Sequence, residues 1–131
     1  MRYCADTWFL LQLFDKSAKA IQIIENVKYG KDFLVIPSVC IVETSRELAR
    51  RGITQKNIDG YLDNLEVCRK IEFIYIDRDI AREAAKMSNS HNLPLVDAVI
   101  ASTAKLLSCI ILSADGHIRL LHRKYVDVIS W

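Results

Sequence analysis

With two prolines and four glycines in 131 residues, the chain has no Pro/Gly-rich linker, and no low-complexity tract or internal repeat interrupts it. A single domain over residues 1–131 is therefore expected. The chain contains no run of about 18 uncharged apolar residues, which excludes a membrane-spanning helix. The opening MRYCADTWFLLQLFDK lacks the layout of a cleaved secretion signal, so the expected location is cytoplasmic. Cysteine is sparse and scattered at Cys4, Cys40, Cys68 and Cys109, without a CxxC pair. Those thiols read as reduced core residues, not as a zinc site or a disulfide frame. An excess of one charge is missing too. Eighteen basic residues face sixteen acidic ones, a net charge of +2, which by itself does not indicate a nucleic-acid partner. A polyanionic substrate would need local basic patches or a bound metal.

Several motifs are also absent. Without GxxxxGK[ST], GxGxxG or GxSxG, the chain has no sequence support for a nucleoside triphosphatase, a dinucleotide-binding fold or an α/β-hydrolase. His91, His117 and His122 show no HExxH spacing and read as loop or surface residues.

What the chain has is core-forming material in a regular order, with 51% hydrophobic and 26% charged residues. Short apolar runs at Tyr3–Asp6, Asp32–Pro37, Phe73–Ile76, Cys109–Leu112 and Tyr125–Ile129 read as strands. Between them lie helical patterns: Thr7–Phe14, then Asp15–Tyr29, burying Ala18, Ile21, Ile24 and Val27 with Gly30 as its stop, and past Pro37 a helix to Arg51. On that third helix Ile41, Val42, Leu48 and Ala49 form an apolar arc. Thr54 is an N-cap for a helix to Cys68, and Asp77 or Arg78 precedes one through Met87. After a loop over Ser88–Asn92, the stretch LPLVDAVIASTAKLL reads as a largely buried helix opening at Pro94. A short helix over Gly116–His122 follows the fourth strand. Strands that are continuously apolar and alternate with helices indicate an α/β/α sandwich around a mainly parallel sheet.

In such sheets the loops at the carboxyl ends of the strands converge on a ligand crevice. Asp6 and Asp115 each stand just past a strand, where they also fit as N-caps of the following helices. Asp97 lies near a helix start and shares its strip with Ala101 and Ala104, which leaves a shallow small-residue groove beside the carboxylate. Glu43, with Arg46 and Glu47 at helical spacing, reads either as a solvated ion-pair face or as a wall of the crevice. Three or four carboxylates at close range require a counter-charge. Oxygen-only ligation suits Mg²⁺ or Mn²⁺, which activates water in phosphodiester hydrolysis.

Asp6-Thr7 after a first strand, Glu43 in IPSVCIVETSREL, Asp97 in LPLVDAVIASTAKLL and Asp115 closing ILSAD follow one another in an order that resembles the PIN domain family, in particular its small VapC-type toxin ribonucleases. The resemblance spans essentially the whole chain. It implies a Mg²⁺- or Mn²⁺-dependent endoribonuclease acting on RNA, frequent homodimerisation, and a VapB-type antitoxin partner whose tail blocks the site. It makes Asp6, Glu43, Asp97 and Asp115 the metal-binding and catalytic quartet, with Thr7 and Ser113 as polar neighbours. The chain departs from the family two residues after the last acid. There a further acid followed by Phe is common, and this sequence has His117 and Ile118. Glu47, one turn from Glu43, is the candidate substitute. Arg46, Arg50, Arg51, Arg119, Arg123 and Lys124 are candidates for phosphate contact, with solvated surface charge as the alternative. Two other functions stay open: a PIN nuclease of RNA processing without an antitoxin, and a catalytically silent module that binds RNA or protein.

Overall fold

The computed structural model describes residues 1–131. Five strands, β1 (Arg2–Ala5), β2 (Phe33–Pro37), β3 (Ile71–Ile74), β4 (Ile110–Leu112) and β5 (Asp127–Ile129), form one sheet in the order β3-β2-β1-β4-β5. Every neighbouring pair is parallel. Parallel strands need crossover connections and cover on both faces. The cover comes from α1 (Thr7–Phe14), α2 (Ala18–Tyr29), α3 (Ser38–Arg50), α4 (Gln55–Glu66), α5 (Arg78–His91), α6 (Leu95–Leu106) and the short α7 (Gly116–Arg119). The expected α/β/α sandwich is the observed architecture. The core runs through the sheet, where Cys4, Leu34, Ile36, Ile111 and Leu112 are fully buried against Phe9, Leu10, Val27 and Ile100 of the helices. No helix is long and apolar enough to cross a membrane.

Local chemistry accounts for most boundaries. Thr54 Oγ1 accepts from the Asn57 N–H at 3.3 Å and Asp77 Oδ1 from the Ile80 N–H at 2.9 Å, capping α4 and α5. Gly30 does stop α2, and close approach explains it: a Cβ there would meet the Asn26 carbonyl oxygen at 2.6 Å. Several expectations are corrected. The loop expected over Ser88–Asn92 is largely helix, since α5 runs through His91 and ends only where Asn92 turns left-handed at φ 51°. Asn tolerates that conformation well. Pro94 is the N-cap of α6, not its first helical residue. On α2 the inward side chains are Ala20, Ile23, Ile24 and Val27, and Ala18 is exposed. β3 begins and ends two residues earlier than expected, leaving Tyr75 and Ile76 exposed beyond the edge strand.

Two corrections concern the site. The inward row of α3 is Cys40, Thr44 and Leu48, one turn apart, while Val42 and Ala49 face solvent. Cys and Thr weigh little in an apolar pattern, which drew the expected arc toward Ile41 and Val42. Glu43 and Glu47 accordingly flank the buried row, half-buried at its rim. On α6, Leu95 is 69% exposed and Leu106 also faces outward, whereas Ala98, Ile100, Ala101 and Ala104 are completely buried. The strip below Asp97 is therefore packed core against the sheet, not an open groove.

Candidate active site

Strand order decides where the acids go. From β1 the chain moves outward to β2 and β3, then returns to place β4 on the other flank of β1. That reversal opens a crevice at the carboxyl ends of β1 and β4, the usual ligand position in open parallel sheets. Asp6 is the first residue past β1, and its N–H bonds the Leu112 carbonyl at 3.3 Å. Ser113 and Asp115 follow β4. Glu43 arrives on α3, which leaves the end of β2. α6 feeds β4 and so starts at this same edge, with Asp97 in its first turn.

Asp6 occupies the N-cap position of α1 but makes no side-chain cap bond. Instead its Oδ2 accepts a short hydrogen bond from the Ser113 hydroxyl, in a contact 107 residues apart in sequence. Ser113 Oγ in turn accepts the Asp115 N–H at 3.0 Å. Asp115 is a true cap: its Oδ1 accepts from the His117 and Ile118 N–H groups at 2.8 and 3.2 Å. Thr7 Oγ1 donates to Glu43 Oε1 at 2.7 Å, joining the start of α1 to α3. Thus both polar neighbours from the sequence hold an acid in place.

The fold holds the four carboxylates close enough to oppose one another's charge. Burial, then the charges of Asp115, Asp6 and Glu43, push the Asp97 carboxyl up to about 6, with His117 opposing. Asp6 is raised chiefly by its burial, with Asp115 and Glu43 adding to it, while the Ser113 hydroxyl and the Thr7 N–H pull it back. No lysine or arginine pairs with Asp6, Asp97 or Asp115. A patch of like charge with free carboxylate oxygens and only one histidine beside it fits a hard divalent cation with oxygen ligands.

The remaining candidates separate. Arg46 and Arg50 line a cleft of about 200 Å³ with Thr7, Leu11, Glu43 and Glu47, beside the acids. Glu47 Oε1 lies 3.6 Å from Arg51 Nε and belongs to that cleft, not to the group of acids around Asp97. Arg51 is already held by both oxygens of Asp15, at 3.1 and 3.0 Å. Arg119 lines a separate cavity with His122 and Val128, and Arg123 and Lys124 line another with Asp127. His117 is the residue that sequence reasoning undervalued. It is exposed, as expected, yet its Nδ1 lies 3.7 Å from Asp97 Oδ2 and 3.5 Å from Asp115 Oδ1. The one signal in the sequence was its place two residues after the last acid.

Comparison with known proteins agrees with the fold. A structure of VapBC2 from Rickettsia felis bound to promoter DNA superposes over 100% of this chain and 99% of that one, with a TM-score of 0.78 at 14% identity. A toxin–antitoxin complex from Klebsiella pneumoniae matches at 21% identity over 86% of each chain, TM-score 0.66. VapBC-5 from Mycobacterium tuberculosis matches at 18% identity over 99% of this chain and 98% of that one, TM-score 0.64. No curated protein sequence matches the chain. The family model of the PIN domain matches residues 3–124, and with that match over nearly its whole length the chain belongs to the PIN domain family.

Proposed function

We propose that the protein is a metal-dependent endoribonuclease and the toxin of a toxin–antitoxin pair. The observation that carries this reading is the convergence of Asp6, Glu43, Asp97 and Asp115 at the β1/β4 crevice of a PIN fold, with no lysine or arginine on the three aspartates. Asp6, Asp97 and Asp115 would hold a Mg²⁺ or Mn²⁺ ion. When bound, that ion supplies charge neutralisation and activation of water for in-line displacement at a phosphodiester. Ser113 orients the Asp6 carboxylate, and Thr7 orients Glu43. Arg46 and Arg50, on the same face of α3 as Glu43, offer positive charge to the flanking phosphates of RNA.

A partner antitoxin is supported by the complexes that share this fold and by an apolar cleft of about 350 Å³. Leu13, Phe14, Ile21, Ile24, Tyr61 and Leu65 line it, between α1, α2 and α4. Such a groove suits the apolar face of a partner helix. The outward Leu95 and Leu106 of α6 supply an apolar face for homodimerisation, which light scattering would check.

The test is cleavage of structured RNA by purified protein with Mg²⁺ or Mn²⁺. Wild type should cut internally, EDTA should stop it, and Asp97→Asn should lower the rate by about 10²-fold or more. Equal cleavage by Asp97→Asn would overturn the assignment of the site. Normal folding with neither Mn²⁺ binding nor cleavage of RNA would favour the silent binding module.

A further inference from the structure

We infer that His117 is a nitrogen ligand of the cation at this site, which makes it a mixed nitrogen–oxygen site that prefers a transition-metal ion to Mg²⁺. This inference rests on the metal-dependent reading above. One donor atom each from Asp97, Asp115 and His117 lie within 4.8 Å of one another. Donors bound at roughly 2.1 Å around one ion stand about 3 Å apart when adjacent and about 4.2 Å apart when opposite, so these three side chains need only small rotations to share an ion. The imidazole is not otherwise engaged. At 3.5 and 3.7 Å its Nδ1 is beyond the length of an N–H···O hydrogen bond to either carboxylate, and no other group bonds it.

The backbone explains why it points there. The His117 N–H donates to Asp115 Oδ1 at 2.8 Å, which holds the His117 backbone beside the carboxylate that caps α7. Asp97, carried by α6, brings its Oδ2 to 3.7 Å from the same ring nitrogen. The side chain is 58% exposed and no hydrogen bond fixes its ring, so it is free to turn toward an ion between the two acids. Imidazole nitrogen is a good ligand for first-row transition ions, whereas Mg²⁺ takes oxygen and keeps its waters. An acid at this position would give an all-oxygen site; histidine alters which metal is bound without removing a ligand.

The experiment is a binding titration on the whole protein with Mn²⁺, followed by the electron paramagnetic resonance of the free ion, and with Mg²⁺ as competitor. Pulsed resonance of the loaded protein reads any coupling to a ¹⁴N nucleus. Wild type should show imidazole ¹⁴N coupling. His117→Ala should abolish it and weaken Mn²⁺ at least about tenfold while leaving the weaker Mg²⁺ affinity nearly unchanged. His117→Asp should also lose the coupling but shift the preference toward Mg²⁺. If wild type binds Mn²⁺ without ¹⁴N coupling, or His117→Ala binds it equally well, the inference is overturned and the metal site stands. If neither wild type nor any variant binds a divalent cation, while each still melts cooperatively as a folded protein, the metal-dependent reading itself fails.

Discussion

At Asp97 the usual preference of a carboxylate is reversed by its surroundings. In the unfolded chain it titrates near the ordinary value of 3.8, and in the fold at about 6. The folded state therefore binds the proton more tightly. Below about pH 4 the group is neutral in both states and costs nothing; as pH rises through 6 the fold must hold a charge that Asp115, Asp6 and Glu43 oppose. Metal-free protein should thus lose stability between these values, by an amount on the order of 2 kcal/mol from this group. Asp97→Asn should raise the melting temperature of the metal-free protein by a few degrees at about pH 7.5 and leave it unchanged below about pH 4. A variant that melts lower at neutral pH would show that the carboxylate has a stabilising partner. Ser113 makes the opposite case. Its hydroxyl satisfies Asp6 on one side and the Asp115 N–H on the other, so Ser113→Ala should cost about 1–3 kcal/mol and raise the Asp6 carboxyl further. Calorimetry and a carboxyl titration by NMR would read both effects, and Ser113→Thr should restore them.

Elements were legible in proportion to how strongly local chemistry dictates them. The cap residues Thr54 and Asp77, the strand-ending Pro37 and the apolar strand interiors gave their elements away, because propensity and burial agree there. The α3 face was not legible. Its inward row of Cys40, Thr44 and Leu48 is chosen by packing against α1, α4 and β2, a tertiary fact that outweighs the greater hydrophobicity of Val42. Among the site residues, the acids and their polar partners could be named from order along the chain. The direction of the His117 ring could not, since it depends on how α7 is pinned by Asp115. The α6 strip shows what such an error changes. Read as an open groove, Ala101 would accept a larger side chain at the expense of activity alone. Fully buried against the sheet, Ala101→Leu should instead lower stability by about 1–3 kcal/mol, seen as a lower denaturation midpoint. A substitution that left the midpoint unchanged and lost only cleavage would restore the groove.

Across the whole molecule, folding works against its own site in the absence of a cation. Four acids are gathered by a sheet whose strength lies elsewhere, in the apolar strands beneath. Addition of Mn²⁺ should raise the melting temperature by mass action on the folded state, more at about pH 7.5 than at about pH 5.5, because protons compete for Asp97. A shift independent of pH would place the ion away from Asp97. The central pairing of β1 with β4 joins Tyr3 to Ile110 and Ala5 to Leu112, so the two halves of the crevice are made at very different moments of synthesis. At roughly 5–20 residues per second, about 5–20 s of translation separate Asp6 from its partner Ser113. During that interval the nascent chain carries half a crevice and no assembled group of acids. A chain interrupted anywhere before β4 lacks Ser113 and Asp115, and with them the wall of the crevice that faces Asp6.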